Sequence, residues 1–191
     1  RSGNLIWALS LVYHVSVDLL LTSVIQAVVP TWMDTFLSVF SLLGSFEVII
    51  LVLAGWIWKR EGKRKMIVVL AILALGMGIE VLGKAFISHP GPPEEFHRYS
   101  LPFSFPSSGF STGNSFPSGH SFRSVFLTVI ALSYAGKNKK MMMAWITFAA
   151  VMLISRVSLG EHWTSDVVGG ATLGLILGSF SRGIKDHAVA D

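Results

Sequence analysis

Two histidines of this chain stand in surroundings that favour chemistry. The first is His120, within the stretch NSFPSGHSFR that runs from Asn114 to Arg123. Pro117 and its neighbours predict a turn, and the apolar run that follows predicts a helix with Ser118 as its N-cap. A helix N-terminus carries partial positive charge and unpaired N–H groups, which suit a phosphate. Taken alone, an ordinary capped helix with a histidine in its first turn is the better interpretation.

The second histidine, His162, lies in the stretch SRVSLGEHWTSD, which ends at Asp166. The four-residue spacing allows the Asp166 carboxylate to accept the proton of one imidazole nitrogen, which leaves the other nitrogen able to attack an electrophile. Arg156 precedes both, at the end of an apolar segment. Each residue also has an ordinary interpretation, because His and Asp often cap helices and an Arg at a helix end can extend into the membrane interface.

A third stretch adds a lysine near the same end of the predicted helices. Lys84 closes an apolar segment, and Glu80 precedes it by four residues, so the two can pair on one helical face. Two histidines are what phosphoryl transfer without a metal requires, since one attacks phosphorus and the other protonates the leaving oxygen. Lysine, arginine and backbone N–H groups would offset the charge on the phosphoryl oxygens.

A zinc site is the competing interpretation of the same side chains. His162, His120 and Asp166 are possible ligands, together with either His89 or His97. The chain has no cysteine, so thiolate sites are excluded. We rank zinc lower because several cations beside the histidines would repel a metal ion and attract an anion, and we predict neither a metal nor another cofactor.

The composition is that of a membrane protein. Of the 191 residues, 52% are hydrophobic and 14% charged, with a mean hydropathy of +0.62. A soluble domain carries about a quarter charged residues, so most of this surface is expected to face lipid. We predict an all-α fold, a bundle of six transmembrane helices that forms a single domain over residues 1–191. The six apolar segments, each near the roughly 20 residues that a span needs, are Leu5–Val29, Thr35–Trp58, Met66–Phe86, Phe122–Ala135, Met141–Leu159 and Val167–Phe180.

Glycines recur at four-residue intervals in the last of these segments. Gly170, Gly174 and Gly178 fall on one helical face, and small residues at this spacing let two helices approach closely in a bilayer. We therefore expect this segment to pack tightly inside the bundle.

The basic residues predict the orientation in the membrane. Eleven of the fifteen lie on one side of a six-span chain, which the positive-inside rule makes cytoplasmic. The other four, Lys84, Arg98, Arg123 and Arg156, fall on or near the opposite side, where the two histidines also lie. This distribution is explained by topology, so we expect no nucleic acid partner. The eleven are Arg1, Lys59, Arg60, Lys63, Arg64, Lys65, Lys137, Lys139, Lys140, Arg182 and Lys185.

A long loop rich in Pro, Ser, Gly and Phe separates the third and fourth segments, between Ser88 and Pro117. Its phenylalanines, among them Phe103 and Phe110, could lie on the membrane interface and so suit a lipid substrate. An exposed connector explains the same composition equally well.

With these stretches in place, the sequence resembles the type 2 phosphatidic acid phosphatase (PAP2) superfamily, which includes bacterial membrane lipid phosphatases and shares a core with the vanadium haloperoxidases. That family carries three motifs, K-x6-R-P, P-S-G-H and S-R-x5-H-x3-D. The second is matched in full by the residues from Pro117 to His120, and the third by Ser155, Arg156, His162 and Asp166. The motif core covers about residues 84–178.

The resemblance implies a role for each matching residue. His162 would be the nucleophile that forms a phosphohistidine, Asp166 would orient it, and His120 would serve as general acid and then as base. The phosphoryl oxygens would be held by Lys84, Ser118, Arg156 and the Gly119 N–H.

The first motif departs from the family pattern. Lys84 matches, but Gly91 stands where the family has an arginine that binds phosphate. Our hypothesis is that Arg123, one helical turn after His120, supplies the missing guanidinium. An arginine within an apolar helix otherwise needs a partner. Arg98 and His89 are weaker candidates.

The sequence therefore predicts a metal-independent lipid phosphatase with its active site on the extracytoplasmic face, expected in a bacterial plasma membrane with lipid as its partner. The substrate would be a lipid phosphomonoester or diphosphate, with phosphatidic acid, phosphatidylglycerol phosphate, an isoprenoid diphosphate and a lipid A phosphate as candidates. Two alternatives stay open. One is a phosphotransferase in which a lipid hydroxyl replaces water, and the other is a membrane scaffold that has lost turnover.

Overall fold

The computed structural model of the protein describes residues 17–106 and 113–184. The described residues are mainly α-helical and contain no strand, which confirms the all-α prediction for this part of the chain. Short 3-10 turns precede and follow α2, and another lies in the long loop at Glu94–Phe96. The helices are α1 (Val17–Val28), α2 (Asp34–Ser41), α3 (Phe46–Phe86), α4 (Gly119–Ala135), α5 (Lys139–Ser158) and α6 (Thr164–Gly183).

Helix α3 is two antiparallel arms that meet at Gly62. Gly62 has a φ of 83° and a ψ of 176°, which no helical residue adopts. Arg123 donates hydrogen bonds to the Gly44 carbonyl and to the Glu80 carboxylate, although a straight helix would separate those two residues by about 54 Å. The chain therefore folds back in its lysine- and arginine-rich stretch, and the two arms, 46–61 and 63–86, correspond to much of the second and third predicted segments.

The second predicted segment, Thr35–Trp58, is wrong as a single helix. The structure divides it into α2, a 3-10 turn at Leu42–Gly44 and the first arm of α3, with Ser45 extended between them at φ −65° and ψ 154°. Gly44 lies at this break in close packing, since a Cβ there would lie 3.0 Å from His120 Cδ2 and 2.9 Å from Met152 Sδ. The first predicted segment, Leu5–Val29, is described only from residue 17 onward.

Helix α4 forms the centre of the bundle and packs most extensively on α6. The glycine face of α6 makes this possible, as predicted. An added Cβ would lie 2.2 Å from the Ser118 carbonyl oxygen at Gly170 and 2.5 Å from the Phe122 carbonyl oxygen at Gly174. Because the two backbones touch along their length, the N-termini of α4 and α6 lie side by side at one end of the bundle.

The two ends of the bundle differ in charge. At one end, Lys65 donates hydrogen bonds to the carbonyls of Ser181 and Ile184 at the end of α6. The Arg60 guanidinium lies 5.2 Å from the ring centre of Tyr134, near the end of α4. The opposite end holds the N-termini of α4 and α6 and the C-terminus of α5. The main basic stretch of the sequence and both histidines are therefore separated along the helix axes.

The outer surface of the helices is apolar, as in a membrane protein. Large hydrophobic side chains such as Leu51, Leu75, Met143 and Leu175 are exposed on α3, α5 and α6. Within the described ranges, Phe46–Phe86 and Lys139–Ser158 are long and apolar enough to cross a membrane. A third span results if α1 and the bent segment after it, Thr31–Gly44, are counted as one, with 85° between them.

The packing of α4 on α6 yields a prediction. Gly174→Ala places a methyl group against the α4 backbone, and we expect the free energy of unfolding to fall by about 1–3 kcal/mol because overpacking forces the helices apart. Thermal unfolding in detergent measures the change. Gly55→Ala is the matched control, since no heavy atom lies within 4 Å of a Cβ built there. Equal melting temperatures for the two variants would contradict tight α4–α6 packing.

Candidate active site

A cavity of about 420 Å³ opens at the end of the bundle where α4 and α6 begin. It brings together six of the eight residues predicted to act in catalysis or phosphate binding, three of which carry positive charge. These six are Lys84, Gly119, His120, Arg123, Arg156 and His162. The cavity is also lined by Glu80, Gly91 and His97.

His162 is positioned by the turn between α5 and α6. Gly160 has a φ of +70°, which favours glycine, and the turn closes through a hydrogen bond from the His162 N–H to the Arg156 carbonyl. The imidazole Nδ1 lies 3.3 Å from Asp166 Oδ2. If Nδ1 carries the proton, Nε2 presents a lone pair, which is the form a nucleophile needs.

Asp166 is fully buried and makes hydrogen bonds to other groups besides His162. Its Oδ2 also accepts the Trp163 backbone N–H at 3.0 Å, and its backbone carbonyl accepts the Ser118 N–H at 3.0 Å. Trp163 therefore occupies the N-cap position of α6. One aspartate thus caps α6, joins α6 to the start of α4 and orients the candidate nucleophile.

A third histidine lies behind Asp166. His89 Nε2 is 3.2 Å from Asp166 Oδ1 and 3.1 Å from the Ser165 hydroxyl. Ser165 in turn donates to Asp18 of α1 at 2.5 Å, so α1 is connected to the site through α6. From the sequence, His89 was a candidate only as a metal ligand or a phosphate-binding residue. Only tertiary packing brings it to Asp166, and no spacing in the sequence indicated the contact.

Arg156 is buried rather than extended toward the interface. It is 5% exposed, and its two terminal nitrogens donate to Ser41 Oγ at 2.5 Å and Glu161 Oε2 at 3.2 Å. These bonds fix the guanidinium between α2 and the turn that carries His162.

Glu80 occupies a central place that the sequence indicated only in part. The predicted pair with Lys84 is confirmed at 2.8 Å, and the other carboxylate oxygen accepts from Arg123 at 3.0 Å. Arg123 also donates to the Gly44 carbonyl at 3.2 Å. A Cβ at Gly119 would lie 2.1 Å from Glu80 Oε1, so a larger residue there would displace the Glu80 carboxylate. Glu80 therefore holds both cations at the start of α4.

The remaining predicted residues lie around this centre. Ser118 is the N-cap of α4, as predicted, and its hydroxyl bonds within the helix to the Ser121 N–H and hydroxyl. Gly91 lines the cavity itself. Arg98 instead pairs with Asp34 at 2.6 Å and donates to the carbonyls of Gln26 and Val29.

A second cavity, of about 240 Å³, adjoins the first. The two share His120, Arg156 and Glu161 in their walls. Within residues 17–106 and 113–184, no group of three or more His, Asp or Glu side chains is arranged to hold a metal ion.

The chain is similar to known proteins over the region that contains the motifs. The family model described as the PAP2 superfamily matches residues 64–187. A lipid A 1-phosphatase of Rhizobium johnstonii is 39% identical over 84 residues, which are 43% of this chain and 32% of that protein. The phosphatidylglycerophosphatase B of Bacillus subtilis is 39% identical over 80 residues, 38% of this chain and 39% of that protein. The matched regions thus span well under half of either relative.

A solved structure shares the fold over most of the chain. The crystal structure of a transmembrane PAP2-type phosphatidylglycerolphosphate phosphatase from Bacillus subtilis superposes with a TM-score of 0.69. The match covers 90% of this chain and 88% of that one, at 21% sequence identity.

The environment of His162 predicts its titration. Burial lowers the pKa of His162, and Arg156 and Lys84 lower it further, against an opposing contribution from Asp166. The imidazole therefore stays neutral to a lower pH than an ordinary histidine, and Asp166→Asn should lower its pKa again. NMR titration of ¹⁵N-histidine protein in detergent measures both values. A pKa at or above the usual 6.5, or a rise in Asp166→Asn, would contradict this account.

Proposed function

The chain belongs to the PAP2 superfamily, and on that premise we propose that it is a membrane lipid phosphatase acting through a phosphohistidine. The observation that carries the proposal is the pair of imidazoles, His120 and His162, in the wall of one cavity that three cations also line. An anion is the ligand that such a cavity favours, and two histidines supply the nucleophile and the acid for phosphoryl transfer.

The first step forms the covalent intermediate. His162 Nε2 attacks phosphorus, the bond from phosphorus to the leaving oxygen breaks, and His120 gives that oxygen its proton. Asp166 holds Nδ1 and stabilises the imidazolium charge at a distance of 3.3 Å. In the second step His120 accepts a proton from water as the water oxygen attacks phosphorus. The bond from phosphorus to His162 Nε2 breaks, which frees His162 and releases inorganic phosphate.

The phosphoryl oxygens are held by charge and by backbone donors. Lys84, Arg156 and Arg123 surround the cavity, and Gly119 lies at the start of α4, where N–H groups are unpaired within the helix. Ser118 contributes as the cap that fixes this helix start. Cations crowded around the histidines favour a reaction without a metal ion.

The proposed topology has six spans. They are α1, the two arms of α3, α4, α5 and α6, with α2 lying between the first two. The basic stretch at the fold of α3 then faces the cytoplasm, and the cavity opens on the extracytoplasmic side. The relatives named above are bacterial, which supports a bacterial plasma membrane.

The substrate we propose is a lipid phosphomonoester or diphosphate, because the site lies at the end of an apolar bundle close to the headgroup layer. Phosphatidic acid, phosphatidylglycerol phosphate, an isoprenoid diphosphate and a lipid A phosphate remain candidates. The names of the relatives favour the lipid A phosphate and the phosphatidylglycerol phosphate.

The test is phosphate release from these four lipids in detergent, with and without EDTA. We expect release from at least one lipid in the presence of EDTA and its loss, by a factor of about 10³ or more, in His162→Ala. Denatured wild-type protein should retain ³²P from a labelled lipid on histidine. Loss of activity with EDTA would contradict metal independence. No release from any lipid would favour the scaffold, and transfer of label to a lipid hydroxyl would favour the phosphotransferase.

The role of Arg123 gives a separate prediction. Arg123→Ala should raise KM for the lipid and the Ki for inorganic phosphate about tenfold or more, because a charge-assisted hydrogen bond to phosphate is lost. Gly91→Arg should restore affinity in the double variant. A Cβ at Gly91 meets its nearest neighbour, Ser115 Cβ, at 3.6 Å, so a side chain fits there.

Steady-state kinetics and phosphate inhibition measure both effects. Arg98→Ala tests the competing candidate and should leave the Ki for phosphate unchanged, since Arg98 pairs with Asp34. Full activity of Arg123→Ala would exclude Arg123 as the replacement guanidinium.

A further inference from the structure

The second cavity lies next to His120, the proposed general acid. His120 and Arg156 line both cavities. Among the described residues, His162 lines the first cavity but not the second. In phosphoryl transfer the attacking and leaving atoms lie roughly in line on opposite sides of phosphorus. A leaving oxygen that takes its proton from His120 therefore lies on the side of phosphorus away from His162. The group attached to that oxygen then extends toward the second cavity.

The walls of the second cavity suit a hydroxylated group. Ser41, Ser45 and Tyr99 contribute hydroxyls, and Leu42, Leu101 and Phe103 contribute apolar surface. Glu161 adds a carboxylate that already pairs with Arg156. A second phosphate would meet the negative charge of Glu161, whereas a hydroxyl could donate to it.

Arg156 Nε and Ser45 Oγ are the buried side-chain atoms of this wall that lack a hydrogen-bond partner among the described residues, and Ser45 is the neutral residue of the two. It is 0% exposed, and among the residues that the structure describes no atom hydrogen-bonds to its Oγ. Ser45 also occupies the N-cap position of α3, yet its side chain does not cap the helix. A buried hydroxyl without a partner costs free energy, and a serine at an N-cap normally avoids that cost by bonding to the helix. A hydroxyl from a bound ligand would satisfy it.

From these observations we propose that the second cavity is the leaving-group subsite, and that Ser45 hydrogen-bonds a hydroxyl of the leaving group. The inference rests on the proposed phosphatase function. It narrows the substrate to lipids whose phosphate is attached to a polyol or a sugar. A diacylglycerol phosphate offers no hydroxyl to Ser45. A diphosphate carries its second anion directly on the leaving oxygen, beside Glu161, whereas the phosphodiester of phosphatidylglycerol phosphate is separated from that oxygen by the glycerol carbons.

A matched pair of lipids tests the subsite. One is phosphatidylglycerol phosphate, and the other is the same lipid built on 1,3-propanediol, which lacks the central hydroxyl of the leaving group. We expect the wild-type protein to hydrolyse the first with a kcat/KM about five to ten times that for the second, as one hydrogen bond would give. Ser45→Ala should lower kcat/KM for the first lipid to the level of the second, and leave the second unchanged.

Ser181→Ala is the matched control. Ser181 is likewise buried with an Oγ that finds no partner within residues 17–106 and 113–184, but it lies near the opposite end of α6. This variant should keep the wild-type preference. Since the Ser45 hydroxyl makes no cap, the melting temperature of Ser45→Ala should not fall, so a loss of preference would not be a loss of fold.

The outcomes separate the subsite from the phosphatase function. Equal hydrolysis of the two lipids by the wild-type protein would overturn the subsite and leave the phosphatase intact. A preference that survives in Ser45→Ala would also overturn it. No release from these two lipids or from any other lipid of the panel would overturn both the function and the subsite.

Discussion

The arrangement of the site depends on one buried carboxylate. Asp166 is fully buried, and a charge in such a place is stable only when several donors surround it. Its Oδ2 accepts from Trp163 and contacts His162, whereas its Oδ1 lies 3.2 Å from His89 Nε2 and makes no hydrogen bond within the described residues. Its own carbonyl accepts the Ser118 N–H. The two sequence motifs that carry His120 and His162 are therefore joined at a single residue, which fixes the start of α4 against the start of α6.

The cations of the cavity are subject to the same physical rule as Asp166, that a charge removed from water needs partners. Arg123 and Arg156 are buried and Lys84 is half-buried, and each has a carboxylate nearby, since Lys84 and Arg123 share Glu80 while Arg156 pairs with Glu161. These pairs hold the cations in place before any ligand binds, so little reorganisation is needed when an anion arrives. Preorganised charge of this kind stabilises a transition state more effectively than mobile side chains do.

Much of this could be predicted from the sequence, because the informative signals are local. Apolar runs predicted helices, the spacing of Gly170, Gly174 and Gly178 predicted close packing, and Ser118 was identified as an N-cap. The i,i+4 pair of Glu80 and Lys84 also follows from helix geometry. The break at Ser45 could not be predicted, since hydropathy continues across it, and the packing of His120 and Met152 against Gly44 beside it arises only in the folded chain.

Contacts between elements that are distant in the chain could not be predicted either, because they form only in the folded protein. His89 reaches Asp166 from a loop 77 residues earlier, and Asp18 reaches Ser165 across 147 residues. Neither pair has a periodicity or spacing that would indicate it. The fold alone brings these residues together, through the docking of α1 and the long loop on the start of α6.

The presence of Gly91 where the family motif has an arginine has a structural consequence. An arginine in the loop would reach the cavity without altering the bundle, whereas Arg123 is part of α4 and is 5% exposed. A guanidinium in that position must be neutralised within the protein, and Glu80 does so. A phosphate that enters the cavity therefore shares Lys84 and Arg123 with Glu80. In the proposed role of Arg123 as the replacement guanidinium, its place on a helix fixes its position, and the adjacent Glu80 carboxylate would weaken the binding of an anion.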